Sequence, residues 1–569
     1  YELLTAHPAL RDHYCARFRH VLVDEFQDTN RLQYAWLKLL AAGKDVTQKR
    51  GEDNAIFAVG DDDQSIYKFR GASAANMQDL QKDFAIERVI KLEQNYRSHG
   101  HILDAANALI GHNRRRLGKN LWTAEAKGEP LRVFEAATDF EEASFVVDEA
   151  RALRAEGVSL AQIAVLYRSN AQSRVLEHAL FSAGVPYRVY GGLRFFERQE
   201  VKHALAYLRL VAGSADDGAL TRVINFPARG IGARSLEQLQ EDAKARGGSL
   251  WETARLKAEG GRQKAEGKSE AQAGHPSSFI LHPSGKGIPA FVTLVEQMRE
   301  ATKDLPLPEI IEHVIEASGL KAHYRAEREG ADRLENLVEL INAAATFVAE
   351  RDVQPAGEAA GVDESDELNA FLSHAALEAG EHQAEAGTDA LQLMTVHSAK
   401  GLEFHSVFVS GLEEGLFPHE NSLTEADGVE EERRLMYVAL TRARRRLYLS
   451  LAQSRMLHGQ TRYGIASRFF REIPENLLRR INPGYGIRDT GSESKPGGRK
   501  SAAVHPYLAS RISDPDSPWK VGQSVVHATF GAGVIVNAEG RGPDARVQVN
   551  FRTGGLKWLA LEYAKLIPA

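Results

Sequence analysis

Cysteine is almost absent from this sequence, since Cys15 is the single one among 569 residues. One cysteine excludes an intramolecular disulfide framework and a zinc site built from cysteines. Long apolar runs are also missing, and none approaches the roughly 20 residues that a membrane-crossing helix needs. Nothing after Tyr1 resembles a signal peptide. These absences predict a cytosolic protein.

An excess of positive charge is lacking as well. Lys and Arg number 71 against 77 Asp and Glu, which gives a net charge of −6. Any nucleic-acid site must therefore depend on local patches of Lys and Arg, where counterions are released. The remaining composition, 43% apolar and 26% charged, is an ordinary soluble mixture. The length of the chain suits roughly two to four domains.

The order of apolar runs predicts two kinds of structure along the chain. Strand-like and helical patterns alternate over residues 19–190 and again over 390–482, which favours a parallel α/β sheet. Residues 191–387 carry mainly helical patterns. The individual predictions are a helix over 1–18, strands over 20–23, 56–59, 88–92 and 163–167, and helices over 33–40, 74–84, 172–183, 199–211, 307–318 and 333–348.

Breaker-rich segments mark the predicted loops. Residues 260–287 and 352–366 favour loops inside the helical part, and residues 483–516 favour a linker rich in Gly, Ser, Pro and Arg. Short strands punctuated by glycines then predict a small β-barrel. These strands cover 524–527, 533–538, 545–551 and 556–559.

The first candidate site is residues 21–28 (VLVDEFQD), an apolar strand that ends in paired carboxylates. In nucleotide hydrolases such a strand end places Asp24 near Mg²⁺ and leaves Glu25 to orient and deprotonate the attacking water. The alternative is that the carboxylates cap the next helix.

Three further segments each allow a functional and a purely structural interpretation. Residues 60–67 (GDDDQSIY) follow a strand, and Gln64 could contact a γ-phosphate there, or the segment is a solvated acidic turn. Residues 92–98 (LEQNYRS) place Arg97 beside Tyr96, which suits an arginine finger and an adenine stack. The alternative for this segment is that Arg97 forms a surface salt bridge and Tyr96 is simply buried. Residues 430–443 form a charged helix with a second candidate finger, Arg442, or only a solvated face.

Residues 395–404 (TVHSAKGLEF) predict a strand, a loop of small residues and a helix. In order and wording, this segment and the four above resemble helicase motifs two to six of the UvrD, Rep and PcrA family of superfamily-one DNA helicases. The likeness extends over nearly the whole chain, including residues 167–174, 194–200 and 374–379. Residues 522–527 and 557–559 resemble a Tudor-like module that Rep lacks.

The resemblance implies RecA-like parallel-sheet motor domains, an inserted all-helical domain and a small C-terminal Tudor/SH3-like β-barrel. The first motor domain would be incomplete, because no Gly-x-x-x-x-Gly-Lys-Ser/Thr phosphate loop occurs. Gly267 to Ser269 fails the spacing, so the loop is expected before Tyr1. The implied domains are 1–93 (first motor domain), 94–190 and 388–482 (second motor domain), 191–387 (helical insertion), 483–516 (linker) and 517–569 (barrel).

The resemblance also implies a role for each nucleotide-site residue. Asp24 would hold Mg²⁺, and Glu25 would be the general base. Three residues would surround the γ-phosphate of ATP, Tyr96 would stack on the base and Glu403 would contact the ribose. The three are Gln64, Arg97 and Arg442.

For DNA, the resemblance implies stacking of bases on Tyr67 and Phe69 beside Arg70. A loop of the helical domain would bring backbone amides to duplex phosphates, unless it is a plain turn between helices. At a hairpin tip where relatives have an aromatic wedge, this chain has His458. Four residues would face the strand's phosphates, namely Arg168, Asn170, Thr395 and His397; the loop is Gly230, Ile231 and Gly232.

The sequence thus predicts an ATP- and Mg²⁺-dependent 3′-to-5′ DNA helicase, acting on single-stranded and duplex DNA in excision repair, mismatch repair and replication. Repair proteins and RNA polymerase are the implied partners. One alternative is a helicase-nuclease, which would need a nuclease domain where only a barrel is predicted. The other is a catalytically incomplete fragment that binds DNA or RNA polymerase.

Overall fold

The computed structural model divides the chain into two compact units. The first contains Tyr1–Arg168, Leu391–Ser454 and Tyr463–Ala569, and the second contains Ser169–Ala390 and Arg455–Arg462. The described residues are 1–42, 55–269, 287–353, 367–380, 388–481 and 524–568, without 74, 87, 115, 191–192, 214–215, 328–329, 426, 458–459, 528–529, 540–545, 552–554 and 561–565.

Fifteen strands lie in these residues, and they are numbered in chain order. They are β1 (His20–Val23), β2 (Ala55–Ala58), β3 (Leu131–Thr138), β4 (Ile163–Tyr167), β5 (Tyr187–Val189), β6 (Leu391–Thr395), β7 (Phe404–Val409), β8 (Ala443–Leu457), β9 (Gln460–Tyr463), β10 (Leu478–Ile481), β11 (Ser524–His527), β12 (Gly531–Glu539), β13 (Arg546–Phe551), β14 (Gly555–Ala560) and β15 (Leu566–Pro568).

The α-helices of the described residues fall on both units. They are Glu2–Ala6, Pro8–Arg17, Arg31–Ala42, Ala75–Asp83, Gly100–Ile110, Asp139–Ala155, Ser173–Ser182, Gln199–Ala212, Asp217–Val223, Ala233–Arg246, Leu250–Ser269, Ile288–Ala301, Leu307–Ala317, Leu320–Arg325, Gly330–Val353, Glu367–Gly380, Glu420–Leu423, Gly428–Leu440 and Phe469–Glu472. None of them is long and apolar enough to cross a membrane.

The larger sheet of the first unit is parallel. Its strands follow the order β10, β3, β8, β7, β4, β6, and each neighbouring pair is parallel. All five residues of β4 are buried, as expected for a central strand with both faces covered. Two helices, Gly100–Ile110 and Gly428–Leu440, contribute side chains to the same core. The prediction of a parallel α/β fold is confirmed.

A separate two-stranded parallel sheet, β1 with β2, lies in the N-terminal part of this unit. The helices Arg31–Ala42 and Ala75–Asp83 share a small core with it, which includes Phe26, Tyr34 and Leu80. The carboxyl ends of both strands lie at the same edge, because the strands are parallel and in register. The candidate segments 24–28 and 60–67 are therefore neighbours.

The C-terminal strands β11 to β15 form an antiparallel sheet in the order β14, β13, β12, β11, β15. Its core includes Val525, Ile535, Val547 and Phe551. The four predicted strands occur here. The fifth strand, β15, has only three residues and was not predicted.

The second unit is built around the helix Gln199–Ala212, which lies in one core with Leu250–Ser269, Ile288–Ala301 and Gly330–Val353. A buried polar contact fixes its start, since Asn336 accepts from Arg198 at 2.7 Å and donates to Glu200 at 2.6 Å. The helical character predicted for this part of the chain is observed.

Three local predictions were wrong. Residues 88–92 form no strand within the described chain, and Ile90 and Leu92 are exposed. Residues 402–404 do not begin a helix, because Phe404 opens β7, whose pairing partners β4 and β8 are distant in sequence. The predicted loop 260–287 begins as helix up to Ser269.

The predicted loop over 352–366 starts inside the helix Gly330–Val353. The remainder of both loops and the predicted linker 483–516 lie outside the described residues. The division into motor, helical and barrel domains stays a prediction.

The stacked pair Phe408 and Tyr448 tests the sheet core. Their ring centroids are 4.2 Å apart and Phe408 is fully buried. Phe408→Ala should lower the free energy of unfolding by about 3–5 kcal/mol through lost contacts and a cavity. Denaturant unfolding monitored by circular dichroism measures this. Phe57→Ala, on β2 with its side chain 62% exposed, is the control and should change it by less than about 0.5 kcal/mol. Equal effects would contradict this packing.

Candidate functional site

The loop after β1 holds Glu25 in an uncommon backbone conformation. Its φ of 48° lies in the left-handed region. This conformation costs a non-glycine residue about 1–3 kcal/mol, and residues that adopt it are concentrated at functional sites. The Asp24 carboxylate accepts the backbone N–H of Glu25 at 2.9 Å. Within the described residues, the Glu25 side chain makes no capping hydrogen bond to the following 3₁₀ turn. The helix-cap alternative is therefore wrong for Glu25.

Gln27 joins the ends of the two strands. Its buried side chain donates to the Glu25 carboxylate at 2.5 Å and accepts the backbone N–H of Asp61 at 2.9 Å. A Cβ at position 60 would lie 2.7 Å from Gln27 Oε1, so a larger residue in place of Gly60 would require the Gln27 side chain to move. Sequence reasoning assigned no role to Gln27, although a glutamine among three carboxylates directly after an apolar strand is a usable signal.

The acidic segment 61–63 is not a solvated turn. Asp63 is fully buried and accepts two N–H groups of Arg116 at 2.7 and 2.6 Å. Asp62 accepts the backbone N–H of Leu117 at 2.7 Å, and burial raises the pKa of Asp62. The solvated-turn alternative is wrong. Next to these residues, Gln64 donates its side-chain amide to Asp61 at 2.6 Å.

Lys400 is a site residue that sequence reasoning missed. Its side chain is 7% exposed, and its ammonium lies 2.6 Å from an Asp28 oxygen and 3.3 Å from a Glu25 oxygen. It also donates to the carbonyl oxygen of Gln64 at 2.9 Å. The segment 395–404 is thereby tied to both strand ends. Burial raises the pKa of Asp28 against the opposing effect of Lys400.

A second group of charges surrounds Glu403. Arg97 donates to its carboxylate at 2.6 Å and Arg444 lies 3.7 Å away. The pairing with Arg97 lowers the pKa of Glu403. The salt-bridge alternative for Arg97 is thus present in this structure, whereas the buried-tyrosine alternative is wrong because Tyr96 is 81% exposed.

Arg442 is buried and follows the helix Gly428–Leu440. It donates to the carbonyl oxygens of Val438 and Leu402, each at 3.0 Å. Burial, with the charge of Arg97, lowers the pKa of Arg442 to about 10, so it remains charged at neutral pH. The helix itself carries buried Glu432 and Arg433. The alternative of a solvated charged face is wrong.

Tyr67, Phe69 and His397 form an aromatic cluster, called here the ring platform. Ring centroids are 6.0 Å apart for Tyr67 and Phe69 and 5.4 Å apart for Phe69 and His397. The Arg70 guanidinium lies 5.3 and 5.4 Å from the centroids of Tyr67 and Phe69. Phe69 is 61% exposed. Burial, with the charge of Arg168, lowers the pKa of His397 to about 3, so this ring is neutral at pH 7.

Arg168 and Thr395 lie at the carboxyl ends of β4 and β6. Arg168 binds the buried Glu432 with three contacts of 2.8–3.1 Å. Burial alone would raise the pKa of Glu432, but Arg168 outweighs it and lowers that pKa. The Thr395 hydroxyl lies 3.1 Å from that of Ser398. A role for either residue at DNA phosphates stays a prediction.

The remaining predicted DNA residues belong to the second unit or lie outside the described residues. The carbonyl oxygen of Asn170 accepts from Arg198 at 3.0 Å. Gly230 has a φ of 74°, and the N–H of Ile231 donates to the Asn225 side chain at 3.0 Å. Gly232 precedes the helix Ala233–Arg246 as its N-cap. His458 is not among the described residues.

The buried pair of Arg168 and Glu432 gives a stability prediction. Arg168→Met leaves the buried Glu432 carboxylate with its bonds from His419 and Ser422 but without its charged partner, and should cost about 3–5 kcal/mol. Because the folded-state pKa of Glu432 is lowered, the pair stabilises above the ordinary glutamate pKa of 4.5 and this contribution is lost as the pH falls below it. Denaturant unfolding at several pH values should therefore show a smaller loss of stability in acid for the variant.

The exposed pair of Lys68 and Glu425, 3.3 Å apart, provides the control. Lys68→Met should change the free energy of unfolding by less than about 1 kcal/mol. Similar costs for both variants would contradict a special role of the buried pair.

Three family models match this chain. The model of the UvrD-like helicase C-terminal domain matches residues 90–454, and that of the UvrD/REP helicase N-terminal domain matches residues 1–85. The model of the PcrA/UvrD tudor domain matches residues 521–566. The Tudor-like prediction for the C-terminal strands is thereby confirmed.

Whole-chain relatives agree with these matches. DNA helicase II of Salmonella typhimurium and that of Escherichia coli are each 45% identical over 100% of this chain and 72% of their own length. The ATP-dependent DNA helicase PcrA of Bacillus subtilis is 36% identical over 98% of this chain and 72% of its own length. The resemblance to the UvrD, Rep and PcrA group is confirmed, and the chain belongs to the UvrD-like helicase family.

Proposed function

We propose that this protein is an ATP-dependent DNA helicase that moves 3′-to-5′ along single-stranded DNA and unwinds duplexes during DNA repair and replication. The observation that carries the proposal is the position of Lys400. This one side chain contacts the predicted base Glu25 and the backbone of the predicted sensor Gln64. It lies three residues after His397 of the ring platform, in the same turn.

The residues around β1 suit a magnesium nucleotide. Asp24 and Glu25 offer carboxylate oxygens that are open to solvent, and such oxygens are preferred Mg²⁺ ligands. When bound, the ion would offset phosphate charge and polarise the phosphoryl group. Asp24 would hold the ion, and Glu25 would accept the proton of the attacking water.

The arginines and Tyr96 suit the rest of the nucleotide. The exposed ring of Tyr96 is accessible for stacking on a base. Arg97 would exchange Glu403 for phosphate oxygens, which would free Glu403 to accept a hydrogen bond from the ribose. Arg442 stays charged although it is buried, and positive charge at a γ-phosphate stabilises its transfer.

DNA would bind at the ring platform and make the hydrolysis rate depend on DNA. Bases stack on aromatic faces without sequence preference, and Tyr67 already donates to the carbonyl oxygen of His397 at 3.3 Å. A shift of the 395–400 turn on DNA binding would move Lys400 relative to Glu25. The base would then lose or regain its cation according to whether DNA is present.

Cellular setting and protein partners are proposed on the family likeness. We place the protein in the cytoplasm, acting in nucleotide excision and mismatch repair. RNA polymerase and repair proteins would dock on the Tudor-like strands, where Val526 and Ile567 are exposed.

Glu25→Gln tests the catalytic part. It removes the proton acceptor while keeping the shape, so DNA-stimulated ATP hydrolysis should fall roughly 10²–10⁴-fold, with little change in single-stranded DNA affinity. Hydrolysis is measured on the protein with any segment that precedes Tyr1 included. Glu309→Gln, an exposed glutamate of the second unit, is the control. Hydrolysis that DNA does not stimulate in the folded wild-type protein would refute the motor proposal.

Phe69→Ala tests the ring platform. Loss of one stacked base should weaken binding of single-stranded oligonucleotides by about 1–3 kcal/mol, measured by fluorescence anisotropy. Phe57→Ala removes an equally exposed phenylalanine from β2 of the same unit and should leave the affinity unchanged. Unaltered DNA affinity of the Phe69→Ala variant would contradict the proposal that DNA binds at the ring platform.

A further inference from the structure

Two histidines and a glutamate converge in the second unit. His178 lies on the helix Ser173–Ser182, whereas His374 and Glu378 lie on the helix Glu367–Gly380. One Glu378 oxygen is 2.6 Å from His178 Nδ1 and 3.1 Å from His374 Nε2. The three candidate ligand atoms all lie within 4.8 Å of one another. None of these residues takes part in the proposed DNA or nucleotide site.

The sequence positions explain this convergence. His374 and Glu378 are four residues apart on one helix, so they share a face one turn apart. His178 comes from a helix about two hundred positions earlier in the chain. The group therefore joins two helices that are remote in sequence.

A small cavity of about 10 Å³ lies beside the three side chains, and Thr346, Phe347 and Phe371 also line it. That volume is about the space that one water molecule or one small ion needs. The Thr346 side-chain oxygen is buried in the cavity wall and has no hydrogen-bond partner in the described part of the chain. A buried hydroxyl without a partner is uncommon and calls for a bound water or ion.

The Glu378 carboxyl group offers an oxygen ligand within reach of both histidines. The arginines nearest to this group are paired with other carboxylates. Arg174 also lines the cavity, and it is ion-paired with Glu339. Arg194 donates to backbone oxygens of Glu378 and Ala379 and pairs with Glu197.

We propose that His178, His374 and Glu378 form a zinc-binding site, with a fourth position filled by a water molecule that Thr346 hydrogen-bonds. Two imidazoles and one carboxylate are a set that Zn²⁺ accepts in tetrahedral geometry, with bonds of about 2.0–2.2 Å. Such bonds separate neighbouring ligand atoms by about 3.3–3.6 Å. The 3.1 Å contact already approaches this spacing, and the 2.6 Å contact has to lengthen by less than about 1 Å.

Zinc at this position would fasten the helix Ser173–Ser182 to the helix Glu367–Gly380. Because the metal binds the folded arrangement and not the unfolded chain, it stabilises the second unit. Imidazole ligands favour Zn²⁺ over Mg²⁺, so this site is distinct in chemistry from the nucleotide site proposed above.

Direct metal analysis tests the site on the full chain. After loading with ZnCl₂ and dialysis against metal-free buffer, the wild-type protein should retain about one zinc ion per chain, and zinc should raise its thermal unfolding midpoint. The double variant His178→Ala with His374→Ala should lose that ion and the shift. His313→Ala, on the helix Leu307–Ala317 of the same unit, should keep both.

Cobalt provides a readout that does not depend on stability. Co²⁺ bound to the wild-type protein should give the visible absorption of a tetrahedral nitrogen and oxygen site, and Glu378→Gln should weaken its affinity by at least about 10-fold. Retention of no zinc by the folded wild-type protein would overturn the proposal. Equal zinc retention by the double variant would do the same, and would leave the group as a hydrogen-bonded cluster.

Discussion

The ion contacts of Lys400 are the constraint on which the candidate site depends. A lysine ammonium with 7% of its side chain exposed needs carboxylates and carbonyl groups in place of the water it has lost. Asp28, Glu25 and the Gln64 carbonyl supply those groups. Removal of either carboxylate would weaken the link between the turn after β6 and the ends of β1 and β2. The arrangement of the ring platform and the predicted base thus rests on one buried lysine and its two carboxylate partners.

The sequence predicted the elements whose signal is local. The limits of β4 match the prediction, because five consecutive apolar residues suit a central parallel strand. The helices predicted over 199–211 and 307–318 likewise follow from their 3.6-residue periodicity, and each observed helix ends within one residue of its prediction. The secondary-structure predictions failed where pairing with residues distant in sequence determines the structure. Residues after Gly401 were predicted as helix, yet Phe404 joins strands that begin at Ile163 and Ala443.

The candidate site divides in the same way. Motif resemblance points to Glu25, Gln64, Arg97 and Arg442, and their roles are predictions. Sequence reasoning did not predict the contacts between segments that are remote in sequence. Neither the contact of Lys400 with Asp28 nor that of Arg168 with Glu432 has any local sequence signature, since hundreds of residues separate the partners. Sequence reasoning also left a solvated turn open for the acidic residues 61–63, because the arginine that buries Asp63 lies 53 positions away.

The close approach of Gly60 to Gln27 has a consequence for how this chain can vary. A methyl group at position 60 would overlap the Gln27 side-chain oxygen and come within 3.3 Å of its backbone nitrogen. A larger residue at 60 would therefore displace the Gln27 side chain from its hydrogen bonds with Glu25 and Asp61. A substitution at position 60 would thus alter the surroundings of the predicted base without changing the base itself.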